Sequence, residues 1–195
     1  MKKVLIIGAG SMGAAFSVPL IDKKLNVTLT EPYNNKLLKQ LYKKKFHPNL
    51  KIFLSKKLFI KNFSSQILLQ KWDLIVIAVS SVGIELIRKY LKNFNQKTSI
   101  LILTKGLKYD KKIKRIITMP EQLSTGNKKL NISVLKGPCL AKELARKIKS
   151  YTVVANKNIR VAKKIGKLIS TNYYKTEYST DVRGIEFSSA IKNIY

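Results

Sequence analysis

Val4-Leu5-Ile6-Ile7-Gly8-Ala9-Gly10-Ser11-Met12-Gly13 is the stretch on which the fold turns. Four consecutive apolar residues suit a strand covered on both faces. They run into Gly8-x-Gly10-x-x-Gly13, and residues 14–24 then read as a helix, with Pro19 expected to kink it because its ring removes a donor and clashes with the preceding turn. A glycine fingerprint between a strand and a helix is the context in which the motif carries meaning. Gly8 permits the tight turn, Gly10 lets the backbone approach a pyrophosphate, and Gly13 allows the helix to pack closely on the strand. The free N–H groups at the helix start, including Ser11 and Met12, then face the anion.

Residues 26–30 form a second strand that ends at Glu31-Pro32, and Glu31 follows Gly13 by 18 residues. A carboxylate there accepts hydrogen bonds from both adenosine ribose hydroxyls and repels a 2′-phosphate. This favours NAD over NADP, although Lys36 is near enough in sequence to meet a phosphate. Further strands are expected at 74–79, 99–103, 131–135, 151–155 and 173–178. Helices are expected at 35–45, 82–91, 141–149 and 159–170, and a last one after Asp181, which can cap it. That helix carries Ile185, Phe187, Ile191 and Ile194. Residues 46–70 have no clear periodicity. The alternation specifies an α/β fold, a Rossmann-type doubly wound and mostly parallel sheet.

The chain has 195 residues, 45% of them hydrophobic, enough for a sizeable core. Its formal net charge is +29, which by itself suggests a nucleic-acid partner. The distribution argues against one: 34 of the 39 basic residues are Lys, spread through every segment, and only five are Arg, the residue suited to bidentate recognition. The single Cys139 and single His47 exclude a disulfide framework and make zinc chemistry untenable. No apolar run reaches the roughly 20 residues that span a bilayer. Met1-Lys2-Lys3 and the apolar residues after it superficially match a signal peptide, but the glycine fingerprint explains the same stretch better. The expectation is a cytoplasmic protein with no metal.

Three more segments carry a family resemblance. They are Thr104-Lys105-Gly106-Leu107, Gly137-Pro138-Cys139-Leu140-Ala141-Lys142-Glu143-Leu144-Ala145, and Thr180-Asp181-Val182-Arg183-Gly184-Ile185-Glu186 running into Ala190-Ile191-Lys192-Asn193. In this order and spacing, with the glycine fingerprint, the chain resembles the bacterial-type NAD(P)-dependent glycerol-3-phosphate dehydrogenases. The resemblance implies hydride transfer between NAD(P)H and dihydroxyacetone phosphate or sn-glycerol 3-phosphate, for glycerophospholipid synthesis. It implies that Lys192 is the general acid/base with Asn193 beside it, and that Lys105 touches both cofactor and substrate. Gly137 and Cys139 would line the substrate site with Lys192. Ser11, Met12, Pro32, Tyr33 and Ala141 match cofactor positions. Cys139 stands where the family usually has Ser or Thr, and an Arg or His common near Pro32 is absent.

The resemblance also divides the chain into a cofactor domain at 1–178 and the opening of a helical substrate domain at 179–195. The sequence stops at Tyr195 in what reads as mid-helix, so a truncated chain, inactive alone and a homodimer when full length, is expected. A related 6-phosphogluconate- or hydroxyacid-type dehydrogenase and a non-catalytic dinucleotide-binding fragment are the alternatives. A lysine can serve as acid/base when burial or a neighbouring cation such as Lys105 lowers its pKa.

Overall fold

A computed structural model describes residues 1–95 and 97–191. In chain order the elements are β1 (Lys3–Ile7), α1 (Ser11–Asp22), β2 (Asn26–Glu31), α2 (Asn35–Lys44), β3 (Phe46–His47), β4 (Ile52–Phe53), β5 (Phe59–Asn62), α3 (Ser65–Leu69), β6 (Leu74–Ile77) and α4 (Ile84–Leu91). They continue with β7 (Ser99–Ile102), β8 (Leu107–Asp110), β9 (Arg115–Thr118), α5 (Met119–Ser124), β10 (Asn131–Lys136), α6 (Ala141–Ala145), β11 (Ser150–Ala155), α7 (Ile159–Ile169), β12 (Tyr174–Ser179) and α8 (Val182–Ile191). The main sheet has the order β12-β11-β10-β7-β6-β1-β2-β5. All of its pairings are parallel except β10 with β11.

The unbroken apolar run of β1 is explained by the two faces of this sheet. Val4 and Ile6 join one core, with Phe16 and Leu20 of α1 and Ile165 and Ile169 of α7. Leu5 and Ile7 join the other, with Ile67 of α3, Ile87 and Leu91 of α4 and Leu123 of α5. Side chains alternate along a strand, so a central strand in a three-layer α/β/α stack needs apolar residues at every position.

Several expectations need correction. The first helix runs through Pro19 as one element and ends at Asp22, two residues short of the expected boundary. The helix expected at 141–149 stops at Ala145, and Lys147 adopts φ 60° in the turn that follows. That turn matters for placement. β11 is antiparallel to β10, with Lys136 opposite Val153, so residues 137–149 stay at the end of the sheet where β10 finishes. Residues 46–70, left unassigned by pattern, fold as the β3–β4 hairpin, the strand β5 and α3. A second hairpin, β8–β9, follows Thr104-Lys105-Gly106. Asp181 caps α8 as expected, its Oδ1 accepting the Gly184 N–H at 2.7 Å. Ile194 lies outside the described residues, as do Lys192 and Asn193.

Candidate functional site

β1 delivers the chain into the turn at Gly8. This residue has φ 109°, and a Cβ there would stand 2.6 Å from the carbonyl carbon and oxygen of Ala78 at the end of β6. Any side chain would therefore be both strained and blocked. At Gly13 an added Cβ would sit 1.9 Å from the Gly8 carbonyl oxygen, so the glycine sets how closely α1 approaches β1. Gly10 differs: a Cβ there would meet nothing within 4 Å. The space above it is open, and no side chain caps α1 and no acid occupies its first turn. The free N–H groups of Ser11, Met12 and Gly13 are thus available to an anion, in line with the helix dipole. A pyrophosphate fits this opening on the grounds of charge, donors and room.

Glu31 is not the solvated acid of a loop. It is 8% exposed, and both of its oxygens are used. Oε2 accepts the Ala9 N–H at 2.6 Å, and Oε1 accepts those of Tyr33 at 2.9 Å and Asn34 at 3.2 Å. One carboxylate therefore ties the glycine turn to the turn that ends β2. Oε1, with two bonds, is filled, so Oε2 alone keeps lone-pair capacity for a ribose hydroxyl, one short of the two expected of Glu31. Beyond it, Pro32 is half-buried and Tyr33 reaches across to the β6–α4 connection, its hydroxyl donating to the Gly83 carbonyl at 2.8 Å. Burial, and next the Glu31 charge, raise the Tyr33 pKa.

The other expected residues come from the ends of β7 and β10. Met12, Ala78, Val79, Lys105, Cys139 and Ala141 line one cleft of about 320 Å³. A smaller space of about 170 Å³ also borders Lys105, with Gly137, Val153 and, from α8, Ile185, Ser188 and Ser189. The cleft thus lies at the C-terminal ends of β1, β6, β7 and β10. It sits where the chain order of the parallel strands reverses beside β1, which is where ligands of open α/β sheets bind. Cys139 is buried, and that burial raises its thiol pKa, so it is held as the neutral thiol. A larger groove of about 430 Å³, lined by Lys39, Tyr42, Lys43 and Lys61 at the outer edge, shares no residue with this cleft.

Pattern reading missed two features of the site. Lys136 and Glu186 form an ion pair at 2.9 Å with side chains 3% and 0% exposed, joining β10 to α8. The Lys136 ammonium also donates to the carbonyl of Thr104, the residue before Lys105. Burial pushes the Lys136 pKa down and the Glu186 pKa up, while each partner opposes the shift of the other. The available signals were a lone Lys between Leu135 and Gly137 and a lone acid between Ile185 and Phe187, in a chain where most lysines are exposed. The second feature is His47, fully buried, with Nε2 3.0 Å from the Ala9 carbonyl. The sequence offered only its solitary occurrence.

A strand, a three-glycine turn, an uncapped helix start and a bonded acid after the second strand define a dinucleotide-binding domain of Rossmann type. A profile described as the N-terminus of NAD-dependent glycerol-3-phosphate dehydrogenase matches residues 3–162. The chain belongs to that family.

It is similar to the NADP(+)-dependent glycerol-3-phosphate dehydrogenase of Archaeoglobus fulgidus, 28% identical over 98% of this chain and 58% of that protein. It is likewise similar to the glycerol-3-phosphate dehydrogenase [NAD(P)+] of Leptospira biflexa, 30% identical over 98% of this chain and 58% of that protein. The crystal structure of glycerol-3-phosphate dehydrogenase from Coxiella burnetii shares the fold, with TM-score 0.86 and 24% identity over 99% of this chain and 58% of that one. The chain spans about 58% of the length of the curated relatives it matches. Among the described residues, no helix is long and apolar enough to cross a membrane.

Proposed function

We propose that this chain provides the cofactor domain of an NAD(P)-dependent glycerol-3-phosphate dehydrogenase. Residues 1–178 hold the dinucleotide, and 179–195 open a helical substrate domain. One observation carries the reading: Met12, in the first turn of the uncapped α1, lines one cleft with Lys105, Cys139 and Ala141. Gly8, Gly10, Ser11, Met12 and Gly13 seat the pyrophosphate. Glu31, Pro32 and Tyr33 border the adenosine ribose, where a fixed carboxylate favours NAD over NADP. Lys105 and Ala141 reach the nicotinamide end.

The dinucleotide held by these residues would supply the hydride exchanged with the carbinol carbon of the substrate. Reduction of dihydroxyacetone phosphate also needs a proton on the carbonyl oxygen, which the Lys192 ammonium donates; in the reverse direction its amine removes the proton from sn-glycerol 3-phosphate. Help of this kind is worth about 10²–10⁴ in rate. Asn193 holds the same oxygen, while Lys105 and Lys192 offset the substrate phosphate charge. Gly137 and Cys139 border the substrate, the latter with a thiol that is a weak donor. Reduced product feeds glycerophospholipid synthesis. On the family resemblance, the whole protein is a cytoplasmic homodimer, which sedimentation checks.

NADH binding by the purified chain, read by calorimetry, tests the cofactor half, and its absence removes the proposal. For the reaction, measured on the whole protein because this chain is expected to be inactive alone, oxidation of NADH should depend on dihydroxyacetone phosphate. Lys192→Ala should lower turnover by about 10²–10⁴ with NADH affinity unchanged; equal loss of both would contradict the role of Lys192.

A further inference from the structure

His47 sits on a two-residue strand far from every motif of the fingerprint, yet its side chain is fully buried and both ring nitrogens are occupied. Nδ1 lies 3.3 Å from the Leu50 main-chain N–H, and Nε2 lies 3.0 Å from the Ala9 carbonyl oxygen. A peptide N–H only donates, so Nδ1 carries no proton. A carbonyl only accepts, so Nε2 carries one. The two contacts together select the neutral Nε2–H tautomer.

The group held by this donor belongs to the glycine turn. The Ala9 carbonyl and the Gly10 N–H are the two ends of one peptide plane, and in a trans peptide they point in opposite directions. No peptide bond described is cis. Drawing the Ala9 carbonyl to His47 therefore turns the Gly10 N–H away from His47, at a residue where an added Cβ would meet nothing within 4 Å. The two preceding planes are fixed independently, because the Ala9 N–H is bonded to Glu31 and the Gly8 N–H to the Thr30 carbonyl at 2.8 Å. Without His47, the Ala9–Gly10 plane is the one part of this turn that could rotate, since glycine at position 10 imposes little restraint. The hairpin carrying His47 is itself braced by the Leu54 N–H on the Lys45 carbonyl at 2.7 Å and by contact of the Phe46 and Phe53 rings at 5.1 Å.

We infer that His47 is a positioning residue of the dinucleotide site, holding the Ala9–Gly10 peptide so that the Gly10 N–H faces the pyrophosphate. This rests on the cofactor reading above. His47 touches no ligand; it acts through the peptide.

The test compares NADH affinity, by calorimetry near neutral pH, for wild type, His47→Gln and His47→Leu. Gln keeps a donor that reaches the Ala9 carbonyl, and Leu keeps the bulk but removes it. His47→Leu should bind about tenfold more weakly, a loss of about one hydrogen bond. His47→Gln should recover most of that loss even where the two variants melt at similar temperatures, which a role in packing alone does not produce. A folded His47→Leu that binds like wild type overturns the inference, as does equal weakening in both variants. Should His47→Leu not fold, the nitrogen chemical shifts of wild-type His47 decide: an Nδ1–H tautomer overturns it, and an Nε2–H tautomer with a Gly10 amide resonance shifted by NADH supports it. A wild-type chain that binds no NADH removes the cofactor reading and this role together, whereas binding by wild type and His47→Leu alike removes only the role of His47.

Discussion

Breaking the ion pair between Lys136 and Glu186 gives the largest stability effect that the structure allows to be worked out. Both side chains are essentially excluded from solvent, at 3% and 0% exposure and 2.9 Å apart, so solvent screening does not soften the loss. Glu186→Leu leaves the lysine buried with the Thr104 carbonyl as its hydrogen-bond partner among the described residues, and with the Lys105 charge repelling it. Removing one member of a buried pair costs about 3–5 kcal/mol, which at about 2–4 °C per kcal/mol for a chain of this size lowers Tm by roughly 6–20 °C. Removing both, as in Lys136→Met with Glu186→Leu, takes away the desolvation cost as well. The double variant should therefore return to within about 1–2 kcal/mol of wild type.

The single variant also has a signature in pH. Burial depresses the Lys136 pKa below its ordinary 10.5, and Glu186 is the main influence opposing that. With Glu186 gone the unfolded chain binds more protons at this lysine than the folded one, so stability rises with pH in the window below 10.5. Urea melts of the four species at several pH values measure both effects. A Glu186→Leu protein as stable as wild type, or single losses that simply add in the double variant, would show that the pair is not the latch between β10 and α8.

Further outcomes follow from the same geometry. His47 has a folded pKa below 6.5, chiefly through burial; Glu31 accepts the N–H of Ala9, the residue that His47 meets, and Lys45 stands two residues before His47. The stability it contributes is complete above 6.5 and is lost as pH falls toward the folded value, so Tm should drop on acidification, with a shallower slope in His47→Gln; identical slopes in melts from about pH 8 to about pH 5 would exclude this. Gly10→Ala should leave Tm nearly unchanged and weaken NADH at least about tenfold, because its Cβ enters only the open space meant for the pyrophosphate. Gly13→Ala should cost stability as well, since its Cβ meets the Gly8 carbonyl at 1.9 Å; the opposite ranking in melting and binding assays refutes the assignment of the two glycines. Glu31→Gln keeps one of the two acceptors used by the turn amides, at the cost of an NH2 facing an N–H, while removing the charge, so the affinity ratio of NADP to NAD should rise, and an unchanged ratio in paired titrations contradicts the cofactor preference.

Much of the architecture was legible from local pattern alone. Apolar runs at residues 4–7 and 74–77, glycines spaced after the first of them, and a capping Asp181 act through steric and hydrogen-bond rules that span a few residues. They identified the alternating α/β order, the glycine turn and the strand-terminal acid without reference to the rest of the chain. Lys105 and the 137–141 segment could be named from motif resemblance, but not placed. Their meeting in one cleft depends on β10 and β11 running antiparallel, which keeps 137–149 at the sheet end shared with the glycine turn. The short hairpins at 46–53 and 107–118 left no periodicity to read, because strands of two to four residues with exposed faces bury too little to impose one.

The use of particular polar groups across long separations emerged only from the packed molecule. His47 meets Ala9 from 38 residues away, and Lys136 meets Glu186 from a different layer of the fold. In sequence each is a single histidine, lysine or glutamate, residue types that ordinarily favour solvent. Burial changes their chemistry by removing the water that would otherwise satisfy them, and burial is a property of the packed molecule rather than of any stretch of chain.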